Sequence, residues 1–233
     1  MPITAFIFDL DGVLTDTAEY HYLAWKKLAD EEGIPFDREE NEALRGVSRR
    51  ESLNFLLKGR VIPEEQAQEL MERKNAYYLK QIQNLSPKDL IPGALSLLRE
   101  LRNARMKTAI ASTSKNAGEV VKRLGLHALI DVLIDGHMVK RTKPAPDIFL
   151  LAAEKLGEKP DSCAVVEDAA VGIQAAKAAG MFTIGIGPVQ RVGEADLVLG
   201  SLTELGLPEI IDRLTSSDNR WQRKSDLLSP PQY

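Results

Sequence analysis

Residues 3–12 read ITAFIFDLDG, an apolar run that ends in an acidic tetrapeptide. An unbroken apolar run, without alternation of polar and apolar residues, is typical of a strand that other elements cover on both faces. In open parallel sheets, ligands bind beyond the carboxyl ends of the strands, which is where Asp9, Asp11 and Gly12 would lie. We therefore predict a buried first strand with two carboxylates at its ligand-binding end.

Further strand-like runs follow along the chain and alternate with helical patterns. The predicted strands are 3–8, 107–111, 132–134, 163–167 and 182–186, with a sixth candidate at 196–199. The predicted helices are 94–104, 116–124, 147–156 and 171–179, and a glycine that would end the helix follows three of them. This alternation indicates βαβ units, and so a Rossmann-like α/β fold with a parallel sheet and right-handed crossovers.

Residues 17–83 interrupt the alternation, because no strand pattern occurs there. One helical stripe lies over 17–32, and Pro63 opens a second helix with Ala67, Leu70, Met71 and Tyr78 on one side. A crossover helix needs far less chain than this. We therefore predict an α-helical cap domain at 16–87, inserted into a discontinuous core domain. The core would comprise 1–15 and 88–233, of which 215–233 is a polar tail.

The composition is that of an ordinary globular chain, which excludes extensive disorder, collagen and coiled-coil rods. The 233 residues are 44% hydrophobic and 27% charged, with a formal net charge of −4, so the overall field does not attract nucleic acid. The N-terminus lacks the pattern of a secretion signal, and no apolar run approaches the roughly 18 residues of a membrane span. The single Cys163 allows no intrachain disulfide. We expect a cytoplasmic monomer that binds neither nucleic acid nor membrane.

Four short motifs carry polar residues at the predicted strand ends or in the loops beyond them. They are Asp9–Gly12, Ser112–Asn116, Lys143 and Glu167–Asp168. Each has an ordinary explanation by itself: a turn, a helix N-cap, a surface lysine and a solvated acidic pair. Together they bring several carboxylates, a lysine and hydroxyls into one crevice, which suits Mg²⁺ and substrate phosphate oxygens. The set describes a phosphoryl-transfer site with an aspartate nucleophile.

The glycine motif at 185–187 and the single cysteine are predicted to have structural and not catalytic roles. The motif GIG at 185–187 suggests a dinucleotide-binding fingerprint, but the third glycine would fall at Gln190, so we predict no dinucleotide site. Cys163 lies in an apolar strand, and we expect it to be a core residue and not a reactive thiol.

The four motifs resemble those of the haloacid dehalogenase superfamily, and the resemblance covers nearly the whole chain, to about residue 213. Within that superfamily the chain is similar to the β-phosphoglucomutase family. The similar segments are DTAEYHYLAW at 16–25, RGVSR at 45–49, STSKN at 112–116, KPAPDIF at 143–149 and GIQAAKAAG at 172–180, after Glu167–Asp168. The inserted helical segment would then be the cap domain of the family.

The resemblance implies roles for the residues of the core motifs. Asp9 would be the nucleophile, and Asp11 the general acid and base, which requires a raised pKa. Ser112 and Lys143 would bind the transferring phosphoryl group and neutralise its developing charge. The ligands of one Mg²⁺ would be Asp9, the main-chain carbonyl of Asp11, Glu167 and Asp168.

The resemblance also implies substrate-binding roles. Arg49 would hold the non-reacting phosphate, because a guanidinium binds phosphate bidentately, and His21 would orient Asp11 and couple it to cap closure. The other expected substrate contacts are Trp25, Arg45, Gly46, Val47, Ser52, Thr113, Ser114, Lys115 and Asn116. Core packing explains Trp25 equally well, and Arg45 stands where the family more often has lysine.

Three functions follow as hypotheses. The first is the mutase reaction implied by the resemblance, in which a small sugar phosphate, β-D-glucose 1-phosphate, becomes glucose 6-phosphate, with β-glucose 1,6-bisphosphate as intermediate and primer. The second is a phosphatase for a small sugar phosphate, which would share every core residue. The third is a non-catalytic phosphate-binding domain. The segment Arg45–Arg49 and His21 favour the mutase, and the presence of both Asp9 and Asp11 argues against a pure binder.

Overall fold

The computed structural model describes residues 2–216, and a six-stranded parallel sheet forms its centre. The strands are β1 Ala5–Phe8, β2 Lys107–Ala111, β3 Val132–Ile134, β4 Cys163–Glu167, β5 Phe182–Ile186 and β6 Leu197–Leu199. Their order across the sheet is β3-β2-β1-β4-β5-β6. The predicted Rossmann-like class is confirmed, the sixth strand is present, and β1 is two residues shorter at its start than predicted. Most of the tail predicted at 215–233 lies outside the described residues.

Four helices follow β1 in the region where the sequence predicted an insertion. They are α1 Ala18–Glu31, α2 Arg38–Glu42, α3 Arg49–Leu56 and α4 Glu64–Gln81. Capping boxes begin two of them, Asp37 with Glu40 for α2 and Ser48 with Glu51 for α3. Pro63 stands just before the first residue of α4 and not at that residue as predicted, so its fixed φ still guides the chain into the helix.

We call α1–α4 with the loops that join them the helical unit, and the rest of the described chain the sheet unit. The helical unit has a hydrophobic cluster of its own, in which Trp25 and Leu28 of α1 meet Leu53 of α3 and Leu70 of α4. A separate cluster is what a domain needs to fold around, which supports the interpretation of an insertion. The predicted limits at 16 and 87 stay a prediction.

The remaining helices cover the two faces of the sheet. They are α5 Ala94–Asn103, α6 Ala117–Arg123, α7 Asp147–Leu156, α8 Ala170–Ala178, α9 Val189–Val192 and α10 Leu207–Ser216. Alternate residues of β1 enter different clusters: Phe6 and Phe8 pack with α5, α6 and α10, whereas Ala5 and Ile7 pack with α7 and α8. Burial on both faces explains why this strand is apolar without alternation.

The two connections between the units run side by side. Thr15 forms an isolated bridge with Leu90, and its hydroxyl donates to the carbonyl of Asp89 at 2.9 Å. The amide of Ile91 donates to the carbonyl of Leu14 at 2.9 Å. These paired crossings set the helical unit over the carboxyl ends of β1 and β2. Over residues 2–216, none of the helices combines the length and the apolarity that a membrane crossing needs.

Candidate active site

Three carboxylates meet at the carboxyl ends of the two central strands. Asp9 follows β1 directly, Glu167 is the last residue of β4, and Asp168 comes next. Neighbouring strands β1 and β4 lie where the strand order reverses, which is where open α/β sheets bind ligands. Carboxylate oxygens of the three residues lie within 4.8 Å of one another, and all three side chains are buried. The structure therefore brings together the three side chains that the sequence proposed as metal ligands.

Lys143 joins two of these carboxylates. Its side chain is fully buried, and its ammonium group donates to both Asp9 and Glu167. Burial alone would lower the pKa of Lys143, but the two carboxylates outweigh burial and raise it above its usual value. Burial raises the pKa of Glu167, which Lys143 partly offsets. The lysine that looked like a surface residue in isolation is a permanent cation inside the site.

Two glycines make room for the carboxylates. Gly12 has a φ of +91°, and a Cβ there would lie 2.3 Å from Asp168 Oδ2. A Cβ on Gly172 in α8 would lie 1.8 Å from Glu167 Oε1. Because both positions exclude a side chain, the backbone forms a close cradle for three buried oxygen donors. Three buried carboxylates whose oxygens lie within 4.8 Å of one another are a set of hard donors that fits Mg²⁺.

Asp11 reaches the site from the turn after β1. Its carboxylate accepts hydrogen bonds from the hydroxyls of Thr17 and Ser112, the latter at 3.3 Å, and lies 3.8 Å from Nε2 of His21. Burial raises the pKa of Asp11 to about 6, and the carboxylate of Asp9 adds to the rise. A carboxyl group with such a pKa can both donate and accept a proton near neutral pH. The sequence analysis expected His21 to orient Asp11 and Ser112 to bind the phosphoryl group, and it did not single out Thr17.

Behind His21 lies a buried lysine that the sequence pattern did not single out. Lys74 of α4 is 2% exposed, its Nζ lies 2.8 Å from Nδ1 of His21, and it faces the ring of Trp25 at 4.9 Å. Burial lowers the pKa of Lys74, and the nearby Arg49 lowers it further. Burial likewise lowers the pKa of His21, as does Lys74. The sequence does contain a sign of this buried lysine, because Lys74 lies on the helical stripe that includes Tyr78, where an apolar residue is expected.

A second group of polar side chains lies around Asn75, another residue that the sequence did not single out. Its Oδ1 accepts from Nη2 of Arg49 and from Nδ2 of Asn116, both at 2.8 Å. Burial lowers the pKa of Arg49, and within the described residues no carboxylate pairs with it. The amide of Asn116 donates to Ser114 Oγ, and the amide of Ser114 to Ser112 Oγ, at 3.2 and 3.1 Å. This hydroxyl-lined turn and the unpaired guanidinium can bind an anion together.

Arg45 contacts Asp168, although the sequence analysis assigned Arg45 to the substrate and not to this carboxylate. Its Nη1 donates to Asp168 Oδ2 at 2.9 Å, and its Nε donates to Glu42 at 3.0 Å. Arg45 also borders the cavity between the units. The sequence assigned Arg45 to the substrate, and that role stays a prediction.

A cavity of about 420 Å³ separates the two polar groups, and most of the predicted site residues line it. Those residues are Asp9, Asp11, His21, Trp25, Arg45, Gly46, Val47, Arg49, Ser52, Thr113, Ser114 and Lys115. The other predicted residues, Ser112, Asn116, Lys143, Glu167 and Asp168, contact that lining or one another. Trp25 belongs both to the cavity wall and to the core of the helical unit, so its two interpretations are compatible.

The fold and the acidic site with its buried lysine define a phosphoryl-transfer enzyme of the haloacid dehalogenase type. A family model described as haloacid dehalogenase-like hydrolase matches residues 3–180. The chain belongs to this family.

More specific similarities point to sugar phosphates. The chain is 46% identical over 207 residues to the β-phosphoglucomutase of Bacillus subtilis (strain 168), covering 87% of this chain and 92% of the relative. It is 32% identical over 213 residues to a phosphorylated carbohydrates phosphatase of Thermotoga maritima, covering 90% and 97%. The crystal structure of a β-phosphoglucomutase from Clostridium difficile superimposes with a TM-score of 0.89 at 40% identity, covering 92% of this chain and 98% of that one.

Proposed function

We propose that the protein interconverts β-D-glucose 1-phosphate and glucose 6-phosphate through an aspartyl phosphate on Asp9. One observation carries the proposal: two sets of phosphate-binding groups border the same cavity. The first set is the cluster of Asp9 and Lys143, and the second is Arg49 with the turn that ends at Asn116. A phosphatase needs the first set only, whereas a mutase must hold a bisphosphate at both ends. The 46% identity to a β-phosphoglucomutase supports the same choice.

The reaction takes place in two transfers with β-glucose 1,6-bisphosphate between them. In the first, the 6-hydroxyl of β-glucose 1-phosphate attacks phosphorylated Asp9, the bond between aspartate oxygen and phosphorus breaks, and Asp11 accepts the hydroxyl proton. The bisphosphate then turns round in the site. In the second, the Asp9 carboxylate attacks the 1-phosphoryl group, the bond to the sugar oxygen breaks, and Asp11 returns the proton to that oxygen. Glucose 6-phosphate and phosphorylated Asp9 remain, so the bisphosphate also serves as primer.

The surrounding groups stabilise charge and hold the acceptor. Lys143 and Ser112 are placed to neutralise and orient the phosphoryl group on Asp9. Such groups stabilise the charge on the phosphoryl oxygens most strongly when water is excluded from the site. Asp9, the main-chain carbonyl of Asp11, Glu167 and Asp168 would hold Mg²⁺, which would supply further neutralisation of that charge. Arg49 holds the phosphate that does not react.

The mutase must favour a sugar hydroxyl over water as the acceptor. Asp11 receives contacts from Thr17, just before α1, and from His21 within α1, so its position depends on the helical unit. Closure of that unit therefore excludes water and places Asp11 at the same time. Opening of that unit before the sugar arrives would expose the aspartyl phosphate to water, so contacts that hold the unit closed help to retain the phosphoryl group.

A sugar-phosphate phosphatase is the second candidate, because a carbohydrate phosphatase aligns with nearly the whole chain. The purified protein is mixed with β-glucose 1-phosphate, Mg²⁺ and a trace of β-glucose 1,6-bisphosphate, and both glucose 6-phosphate and free phosphate are measured. We expect glucose 6-phosphate in large excess. Free phosphate as the main product would establish the phosphatase, and the absence of both products would indicate a binding protein.

Arg49→Ala separates the two phosphate roles within the proposed reaction. We expect this variant to lose sugar isomerisation while slow hydrolysis of the aspartyl phosphate continues, because the non-reacting phosphate is no longer held. Arg38→Ala is the matched control, since Arg38 pairs with Glu19 on the exposed surface of the helical unit. Isomerisation that is unaffected by Arg49→Ala would remove Arg49 from the phosphate site. The monomeric state and the cytoplasmic location stay predictions from the sequence.

A further inference from the structure

Arg191 in α9 contacts the loop that carries one of the metal-site carboxylates. Its Nε donates to the main-chain carbonyl of Asp168 at 2.7 Å, and its Nη2 lies 4.0 Å from Asp168 Oδ2. The side chain is about three-quarters covered. Arg191 is absent from the cavity lining, so it is placed to act on Asp168 and not on the substrate.

The glycine motif at 185–187 gives Arg191 and its helix the space they occupy. Gly187 has a φ of +116°, and a Cβ there would lie 2.7 Å from Nη2 of Arg191. A Cβ on Gly185 would lie 2.6 Å from Cβ of Val192, so α9 can lie close against the end of β5 only because that strand has glycine there. The motif that resembles part of a dinucleotide fingerprint thus has a different use in this chain: it lets an arginine approach Asp168.

The other end of the same guanidinium reaches the helical unit. Nη1 of Arg191 lies 3.3 Å from Oε2 of Glu42 at the end of α2, and Arg45 donates to the same oxygen at 3.0 Å. Since Arg45 also donates to Asp168, two acids and two arginines alternate in a closed ring. Glu42 and Arg45 belong to the helical unit, and Asp168 and Arg191 belong to the sheet unit. Burial would raise the pKa of Glu42, but the two arginines outweigh it and lower the pKa below its usual value.

We propose that Arg191 is a positioning residue that fixes the loop of Asp168 and, through Glu42, fastens the helical unit over the cavity. The inference rests on the proposed mutase reaction, because a fastened unit favours the sugar over water as phosphoryl acceptor. An arginine suits this task, since its planar fork donates in two directions at once, toward Asp168 and toward Glu42.

The test uses Arg191→Gln, Glu42→Gln and the double variant, all loaded with Mg²⁺. We expect each single variant to raise the KM for β-glucose 1-phosphate and the share of aspartyl phosphate lost to water by about two- to fivefold, the range of a partly exposed ion pair. The rate of Asp9 phosphorylation by acetyl phosphate should stay within about twofold of the wild type. The loss in the double variant should be smaller than the sum of the two single losses, because both single changes break the same link between Arg191 and Glu42. Arg191→Lys, which keeps the charge but not the fork, should restore part of the loss.

A structural readout accompanies the kinetics. Small-angle X-ray scattering with Mg²⁺ and inorganic phosphate should give a larger radius of gyration for both single variants than for the wild type. The control is Arg38→Gln, which removes an exposed ion pair that lies within the helical unit. Thermal unfolding of each variant shows that it is folded.

Three outcomes would overturn the proposal. The first is that Arg191→Gln loses the same share of aspartyl phosphate to water as the wild type and has the same radius of gyration. The second is additive effects of Arg191→Gln and Glu42→Gln, which would mean that the two residues act separately. The third is weaker Mg²⁺ binding in Arg191→Gln, measured by calorimetry, with normal scattering, which would confine Arg191 to the metal loop. Failure of the proposed function looks different, because the wild type itself would then form no glucose 6-phosphate.

Discussion

Two buried lysines respond to burial in opposite ways because their neighbours differ. Lys143 lies between Asp9 and Glu167, whose carboxylates raise its pKa despite burial. Lys74 has His21 and Arg49 as neighbours, so burial lowers its pKa with little opposition. The first lysine is a fixed positive charge for phosphoryl transfer. The second has a pKa below its usual value, because it faces His21 and Arg49 where Lys143 faces two carboxylates.

The nucleophile is tested by Asp9→Asn. We expect formation of the aspartyl phosphate and turnover to fall by at least about 10⁴-fold, because an amide oxygen cannot take its place. Acid-quenched samples with labelled acetyl phosphate measure the phosphorylated enzyme directly. Asp11→Asn is the control: it should still become phosphorylated, since acetate leaves without a proton, yet it should transfer slowly to sugar. Phosphorylation that persists in Asp9→Asn would assign the nucleophile elsewhere.

The pKa of Lys74 leads to a prediction about stability and pH. Between the lowered pKa of the folded chain and the ordinary value, the unfolded chain binds a proton that the folded chain lacks, so this group makes the protein less stable as the pH falls. The groups that face Lys74 are His21, Arg49, Asp11 and Tyr78. Lys74→Met removes this effect. The difference in the free energy of unfolding, variant minus wild type, should therefore become more positive as the pH falls from 9 to 7. The change is at most about tenfold in the folding constant per pH unit.

Urea unfolding at several pH values measures this difference. The matched control is Lys80→Met, which removes a lysine from the exposed face of the same helix. A difference between Lys74→Met and the wild type that is flat or that shrinks as the pH falls would contradict the prediction.

At the scale of elements, the sequence predicted the strands and the motifs at their ends, because burial on both faces leaves a continuous apolar run that can be read locally. The polar ends of β1, β2 and β4 converge because the strands are parallel neighbours, so their residues could be grouped from the sequence alone. Lys74, Asn75 and Arg191 were missed for the opposite reason. Their partners are far away in sequence: on another helix for Lys74, across the cleft for Asn75, and after another strand for Arg191. No local pattern predicts these contacts, although the interrupted apolar stripe marks Lys74 itself as unusual.

A glycine in α8 connects helix packing to the metal site. Alanine in place of Gly172 would add up to about 1 kcal/mol of helix propensity, but its Cβ would lie 1.8 Å from Glu167 Oε1 and displace a buried carboxylate. The steric effect dominates, so we expect Gly172→Ala to weaken Mg²⁺ binding by about 10–100-fold, measured by calorimetry. Gly118→Ala in α6 is the control, because its Cβ would make only an ordinary contact, 3.9 Å from Leu133. Unchanged Mg²⁺ affinity in Gly172→Ala would mean that Glu167 is not a ligand.

At the scale of the whole molecule, side-chain contacts close the cleft around the cavity. These contacts are Arg45–Asp168, Arg191–Glu42, Thr142–Glu51 and Asn116–Asn75. The two arginine pairs are partly exposed, whereas the pair of Lys143 and Asp9 is buried beneath them. Salt therefore screens the exposed ion pairs that hold the cleft closed more strongly than the buried ion pair at the nucleophile.

This difference predicts a selective effect of ionic strength. Raising KCl from 0.1 to 1 M shortens the Debye length from about 10 to 3 Å, which weakens the exposed pairs across the cleft but hardly affects the buried pair. We expect hydrolysis of the aspartyl phosphate in the absence of sugar to rise by about twofold, because the helical unit opens more often. The rate at which acetyl phosphate phosphorylates Asp9 should stay nearly constant.

The double variant E42Q/R191Q provides the control for this prediction. It already lacks one of the two exposed ion pairs across the cleft, so added salt has less to weaken, and its hydrolysis should start higher and rise less than in the wild type. An equal rise in both proteins would show that salt acts on the aspartyl phosphate itself and not on closure. A matching fall in Asp9 phosphorylation would show that the buried pair is also screened, which would contradict a water-excluding helical unit. Retention of the phosphoryl group thus becomes a measurable property of the contact between the two units.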